Sequence, residues 1–340
     1  MTSTSGLGPE PFRVSLSQAK KPRVLVLDDF RKADQTGGTN HGELVEHELG
    51  RRFDGQLPIE REEVPLEFDT SGIREGRDDA IADFFEDHFT DRLQADQLAW
   101  TRVAASEERT VVHQSQGASD SRAVENLYFT SRKDEELRSR LEQGLGLSVT
   151  GSAEFDEKAQ GRLLGALVGL ASEVHQDSPE IAQKIEALRT VQVQAAEMGH
   201  LHVISAGNSG SLFREMQKHA IPIPTKFFVN EFAGPQSIVV GASDDRTDQA
   251  FSSNPQVVAK LASPYAGAIF AADGIDRPMT IRGETTLHRG SSYASPQVSS
   301  QVVSLLEEQP NLLRDEVVEE LKKRARPVAG AEDYLGFGTL

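Results

Sequence analysis

The sequence contains no cysteine, which excludes disulfides, thiolate metal sites and a cysteine nucleophile. Long apolar runs are also missing, because the longest one, residues 163–171, is far too short to cross a bilayer. Basic residues are in deficit, 36 against 53 acidic ones, which leaves a net charge of −17. This charge argues against a nucleic acid or an anionic membrane surface as the main partner.

Targeting and cofactor motifs are missing as well. Residues 1–22 are rich in Ser, Gly, Pro and Lys and lack the apolar core of a signal peptide, so we expect a flexible leader and a cytoplasmic location. Export without a signal peptide would look the same in the sequence. No Walker loop, dinucleotide-binding glycine fingerprint or twelve-residue calcium loop occurs, so we expect no cofactor and no metal. Calcium bound by scattered loop oxygens would leave no such motif.

Short apolar runs are distributed along the chain of 340 residues, which is long enough to bury a large core. The runs at residues 23–28, 109–115, 201–205 and 237–243 are typical of buried parallel strands. Because α/β domains of this length often form one unit, we expect residues 23–340 to be a single domain.

Helical patterns separate these strands. The alternation predicts an α/β fold with a mostly parallel, doubly wound sheet. The predicted helices are one that opens at His41, helices within residues 81–103 and 163–174, one from residue 181 that ends at Gly199, one after Gly290, and one over residues 312–324.

Four residues lie where an α/β sheet places its chemistry, at the carboxyl ends of strands. Asp28 ends the first strand, and His41 opens the next helix. Asn208 lies in the turn after the third strand, and Ser292 should begin a helix. Taken alone, each has a plain structural explanation. Asp28 could be a turn residue and His41 a solvated histidine, while Asn208 could be a left-handed turn residue and Ser292 a helix N-cap. Together they offer a nucleophile, a base, an orienting carboxylate and an oxyanion donor.

The segments VLVLDD, NHGELV, VISAGNSG and GSSYASPQV resemble, in this order, the aspartate, histidine, oxyanion-asparagine and serine motifs of the subtilisin-like serine proteases, the subtilases. The serine motif is the most specific, with its proline expected in the first helical turn. TVVHQSQGAS, SIVVGASDDRTDQAFSS and the closing PNLLRDEVVEELKKRA and YLGFGTL also resemble family segments.

The resemblance implies a subtilisin-like three-layer α/β fold and a serine endopeptidase that acts on proteins or peptides through an acyl-enzyme. It implies Ser292 as the nucleophile, His41 as the general base and acid, Asp28 as its orienter and Asn208 as the oxyanion donor. Gly290 and Ser291 would shape the turn before the nucleophile. The residues implied in the substrate cleft are Ser115, Gln116, Gly117, Ser205, Ala206 and Gly207.

The sequence departs from the family pattern at several points. Ser291 replaces the usual threonine, Gln116 replaces the usual leucine of the cleft, and the His-Gly pair is followed by Glu43. Residues 118–180 are expected to contain an insertion. Asp29 is an alternative to Asp28, because a strand end can shift by one residue. The leader is shorter than a folded propeptide, so an inhibitor could be a separate chain.

Two competing hypotheses stay open: a catalytically impaired subtilase-fold binding or regulatory protein, and an unrelated α/β binding domain. An α/β-hydrolase is excluded because no histidine follows His288. The zinc-protease motif begun by His47 fails because Arg51 stands where it needs a second histidine. We expect structural roles for His113, and for His200 and His202 on one face of a strand.

Overall fold

The computed structural model describes ten stretches of the chain. The expected leader, apart from residue 22, lies outside them, as do parts of the segments after the fifth strand and before the C-terminus. The described residues are 22–30, 40–53, 56–64, 68–151, 155–244, 249–250, 268–274, 277–281, 284–327 and 336–340.

A mostly parallel sheet forms the centre of the molecule, and its strands run in the order β2-β1-β3-β4-β5. Strand β7 adds to β5 in parallel, β6 pairs with β5 in the antiparallel sense, and β8 and β9 form a separate antiparallel hairpin. The strands are β1 (Arg23–Asp28), β2 (Ile59–Glu63), β3 (Thr110–Gln114), β4 (Leu201–Ser205), β5 (Ile238–Asp244), β6 (Gln249–Ala250), β7 (Ala268–Asp273), β8 (Arg277–Ile281) and β9 (Glu284–His288).

The described residues form ten α-helices and one short 3₁₀-helix, Arg51–Phe53. The four predicted strands agree with β1, β3, β4 and β5 to within one residue, and the predicted α/β fold is confirmed. The helices are α1 (His41–Gly50), α2 (Ser71–Glu75), α3 (Ala80–Ala104), α4 (Asp120–Ser131), α5 (Glu135–Gly144), α6 (Glu157–Asp177), α7 (Pro179–Glu197), α8 (Gly210–Lys218), α9 (Ser291–Glu308) and α10 (Arg314–Arg324).

Strand β1 illustrates why the central strands are continuously apolar. Val24 and Val26 pack in the cluster that holds α1, α9 and α10 on one face of the sheet. Leu25 and Leu27 point the other way, into the cluster formed with α3 and α7. Because both faces of a doubly wound sheet are covered, five of the six residues of β1 are buried, and Arg23 at its start is partly exposed.

A third hydrophobic cluster lies among helices rather than on the sheet. It joins α2, α4, α5, α6, α8 and the first turns of α3. Residues 118–180, the expected insertion, supply α4, α5 and α6, and the status of this segment as an insertion stays a prediction. In the part of the chain that the structure describes, no helix combines the length and apolarity needed to cross a membrane.

Strand β2 was not predicted. Its sequence IEREE carries four charged residues and has no fully buried position. It pairs only with β1, as an edge strand, so its charged side chains remain in water.

Candidate active site

Asp28 lies at the carboxyl end of β1 and is fully buried. Its Oδ1 accepts three hydrogen bonds: from the backbone N–H of Asp29 at 2.7 Å, from His41 Nδ1 at 2.7 Å and from Gln116 Nε2 at 3.2 Å. Asp29, the alternative acid, thus gives its backbone N–H to the carboxylate that binds the histidine.

His41 is the first residue of α1, which Asn40 caps by accepting the backbone N–H of Glu43 at 2.8 Å. Because a carboxylate only accepts, His41 Nδ1 donates to Asp28 and the neutral ring keeps a free lone pair on Nε2. Burial lowers the pKa of His41, but the charge and hydrogen bond of Asp28 raise it more, so its pKa lies above the ordinary 6.5. The side chain is 29% exposed, so it is accessible from outside.

Ser292 lies in the first turn of α9 and is 6% exposed. Its Oγ donates to the carbonyl of Ser115 at 3.1 Å. A hydroxyl has one proton, so in this arrangement it is not given to His41. The next residue, Tyr293, places its ring centroid 6.0 Å from that of His41, so the start of α9 and the start of α1 are brought together.

Pro296 lies in the second turn of α9, not in the first as expected, because the helix already begins at Ser291. A proline has no N–H, so the carbonyl of Ser292, four residues earlier, lacks its helical partner. Ser115 Oγ supplies the missing hydrogen bond by donating to Ser292 O at 3.0 Å. The carboxyl end of β3 and the start of α9 therefore hold each other through two reciprocal hydrogen bonds.

A buried network of polar side chains lies behind these two serines, and the sequence did not reveal it. His113 Nε2 contacts Ser115 Oγ at 2.8 Å, and its Nδ1 contacts Ser299 Oγ at 2.8 Å. Burial lowers the pKa of His113 to about 3, so the ring is neutral. Since Ser115 gives its proton to Ser292 O, His113 donates from Nε2 and accepts from Ser299. His113 was expected to have a packing role, and it also supports the serine turn.

Asn208 is exposed, and its side-chain amide is held through its oxygen. Its Oδ1 accepts from the backbone N–H of Ser291 at 2.9 Å and faces Ser291 Oγ at 3.1 Å. Its Nδ2 makes no hydrogen bond within the described residues, which leaves this donor free. Gly290 has φ +134°, and a Cβ there would lie 2.9 Å from Asn208 Nδ2, so this turn requires glycine. Ser291, expected only to shape the turn, thus anchors the amide.

The expected cleft residues divide into two groups. Gly117 and Gly207 reach solvent, whereas Ser115, Gln116, Ser205 and Ala206 are buried. Gln116, which is implied in the cleft, is 3% exposed, and its side chain does not face solvent. Its Nε2 donates to Asp28 and, at 2.9 Å, to the carbonyl of Val64, because the side chain turns inward at the end of β3.

The other histidines of the sheet have partners in the core. His202 Nδ1 contacts Ser237 Oγ at 2.7 Å, and His200 Nδ1 accepts the backbone N–H of Thr110 at 3.1 Å. Burial lowers the pKa of His202 to about 3 and that of His200 to about 4, so both are neutral. No group of three or more metal-ligating side chains occurs among the residues with described positions.

One family model and several solved structures are similar to this chain. The sequence model of the Subtilase family matches residues 145–338. The epidermin leader peptide processing serine protease from Staphylococcus aureus is similar in structure, with 12% identity, a TM-score of 0.47, and 96% of this chain and 75% of that chain covered. Sphericase has 16% identity and a TM-score of 0.44, with 94% of this chain and 91% of that chain covered. A psychrophilic protease has 17% identity and a TM-score of 0.43, with 90% of this chain and 83% of that chain covered. No curated protein matches the sequence significantly.

Proposed function

This chain belongs to the subtilase family of serine proteases, and from that premise we propose that it is an endopeptidase that acts through Ser292, His41 and Asp28. The observation that carries the proposal is the 2.7 Å hydrogen bond from His41 Nδ1 to the buried Asp28 carboxylate. It fixes the tautomer in which Nε2 can accept a proton.

In the proposed reaction, Ser292 Oγ attacks the carbonyl carbon of the scissile peptide bond while His41 Nε2 takes the hydroxyl proton. The hydroxyl first turns away from the carbonyl of Ser115, its acceptor in the free protein. The C–N bond then breaks, His41 gives the proton to the leaving amine, and an acyl-enzyme remains on Ser292. Water repeats the sequence and releases the acid.

The negative charge that develops on the attacked oxygen needs donors that are already in position. Asn208 Nδ2 is one, because its amide is held through Oδ1 by Ser291 and its donor end is free. The backbone N–H of Ser292, at the N-terminus of the 18-residue helix α9, is the second. Neither donor has to reorganise as the charge forms.

Labelling with a fluorophosphonate probe tests this proposal. The native protein should be labelled at one site, and Ser292→Ala should not be labelled, because the probe needs an activated hydroxyl. Ser304→Ala is the matched control: it removes a hydroxyl from the same helix that donates only to the carbonyl of Ser300, and it should label normally. Labelling that survives Ser292→Ala would remove this serine from its proposed role.

One observation favours a second candidate, a subtilase-fold binding protein with impaired catalysis. The proton of Ser292 Oγ is donated to Ser115 O rather than to His41. Folded native protein that resists the probe and cleaves no peptide would support this second function and exclude the first.

A further inference from the structure

Three loops meet beside the serine turn: the segments that follow β3 and β4, and the segment before β5. The parts of these segments at the serine turn are residues 115–119, 206–209 and 227–234. Within them, the residues that reach solvent are Gly117 in the first, Gly207 and Asn208 in the second, and Asn230 in the third. Because Ser115 contacts Ser292 and Asn208 contacts Ser291, a peptide carbonyl at the nucleophile lies next to these exposed positions.

Asn230 joins the two strand-end loops through its carboxamide. Its Nδ2 donates to the carbonyl of Gln116 at 3.1 Å and to the carbonyl of Ser205 at 3.3 Å. Its Oδ1 accepts the backbone N–H groups of Ala118 at 3.2 Å and of Phe232 at 3.1 Å. Both donor hydrogens and the acceptor oxygen of the amide are therefore used within the protein.

The Asn230 amide also packs directly against Gly117. A Cβ at Gly117 would lie 2.8 Å from Asn230 Nδ2 and 3.0 Å from its Oδ1. The amide therefore lies against the Gly117 backbone and spans from the carbonyl of Gln116 to that of Ser205. A substrate side chain that entered between these two loops would meet the amide as a floor.

We propose that Asn230 closes the pocket beneath the scissile bond, so that the substrate residue whose carbonyl Ser292 attacks is small: glycine, alanine or serine. This residue is called the acyl-side residue below. The inference rests on the proposed function, because it assigns a substrate preference to the same site. A longer side chain would have to displace an amide that makes four hydrogen bonds to the backbone.

The hydrogen-bonding groups of the Asn230 amide already have partners within the protein, which argues against recognition of a charged or amide side chain of the substrate at this position. A polar substrate group would gain a hydrogen bond from Asn230 only by taking it from a strand-end carbonyl or a loop N–H. The floor selects by size, and its two walls are glycines without side chains.

The test uses the full-length protein and internally quenched peptides that differ only in the acyl-side residue, which is Ala, Phe or Arg. We expect kcat/KM for the Ala peptide to exceed that for the Phe and Arg peptides by at least about tenfold. Equal rates, or faster cleavage after Phe or Arg, would overturn the inference while leaving the proposed function intact. Absence of both cleavage and fluorophosphonate labelling would overturn the proposed function and this inference with it.

Asn230→Gly removes the floor and should raise kcat/KM for the Phe peptide relative to the Ala peptide by at least about tenfold. Gln192→Ala is the matched control, since Gln192 Nε2 donates to the carbonyl of Phe232 in the same loop without contacting either strand-end loop. It should leave the ratio unchanged. If Asn230→Gly fails to fold, the peptide series on the native protein still decides the inference.

Discussion

The described residues contain two histidine–aspartate pairs, and these differ in the surroundings of Nε2, the ring nitrogen that faces away from the aspartate. In the first, His41 Nδ1 donates to the buried Asp28 at 2.7 Å. In the second, His175 Nδ1 lies 3.0 Å from both oxygens of Asp120, which is also buried. In both pairs, therefore, Nδ1 of the histidine faces a buried aspartate.

The far nitrogens have different surroundings. His175 Nε2 lies 3.7 Å from Oε1 of Glu231, which also pairs with Arg189, and the histidine side chain is only 10% exposed. Burial lowers the pKa of His175, but Asp120 and Glu231 raise it more, so its pKa lies above the ordinary value, and the ring lies between two acidic side chains. His41 has a single carboxylate in hydrogen-bonding contact and accessible surface. An aspartate–histidine pair therefore becomes a candidate base only where Nε2 is open to a reactant.

The largest expected effect comes from breaking each pair at its aspartate. Asp28→Asn should lower kcat by about 10,000-fold, because an amide no longer holds the tautomer with a free Nε2. Asp120→Asn, the same change in the second pair, should leave kcat per labelled active site within about threefold, because Asp120 holds His175, whose other ring nitrogen faces Glu231 and not the proposed nucleophile. Similar losses in both variants would contradict the distinction between the pairs.

The proposed oxyanion donor, Asn208, provides the next test, since Ser291 holds its amide next to the proposed nucleophile. Asn208→Leu should lower kcat by roughly 100- to 1,000-fold with little change in KM, the loss typical of one oxyanion donor. Steady-state kinetics on one peptide measures both values. A rise in KM at constant kcat would instead assign Asn208 to substrate binding.

The second pair should affect stability instead. His175→Leu removes the polar side chain that lies between the buried Asp120 and Glu231, and should lower the free energy of unfolding by about 3 kcal/mol. Denaturant unfolding measures this loss, and fluorophosphonate labelling of the folded fraction should be retained. Unchanged stability would show that the charges need no histidine between them.

The smallest effect concerns pH. Protonated His41 cannot accept the Ser292 proton, so kcat/KM should fall as the pH falls, with its midpoint above 6.5 because Asp28 raises the pKa of His41. Gln116→Leu removes a donor from Asp28 Oδ1, which strengthens the field of the carboxylate at His41. The midpoint should therefore move upward by a fraction of a pH unit, whereas His175→Leu should not move it.

The sequence predicted the central strands because both of their faces are buried, and it predicted Asp28, His41, Asn208 and Ser292 because each lies at the end of a strand or the start of a helix. It could not predict the contacts that support them. Ser115 and Ser292 are 177 residues apart, and Asn230 and Gln116 are 114 apart. Such pairs meet only after β3, β4 and α9 have docked, and no local pattern encodes them.

Pro296 removes the helical hydrogen bond to the carbonyl of Ser292 in α9, and Ser115, at the end of β3, donates to that carbonyl instead. The first turn of α9 is therefore registered against β3, which pairs with β1, the strand that ends in Asp28. The Ser292 hydroxyl and the Asp28 carboxylate are consequently connected through the sheet, from α9 to β3 and from β3 to β1. The absence of one N–H group, at Pro296, thus ties the position of the proposed nucleophile to the sheet rather than to its own helix.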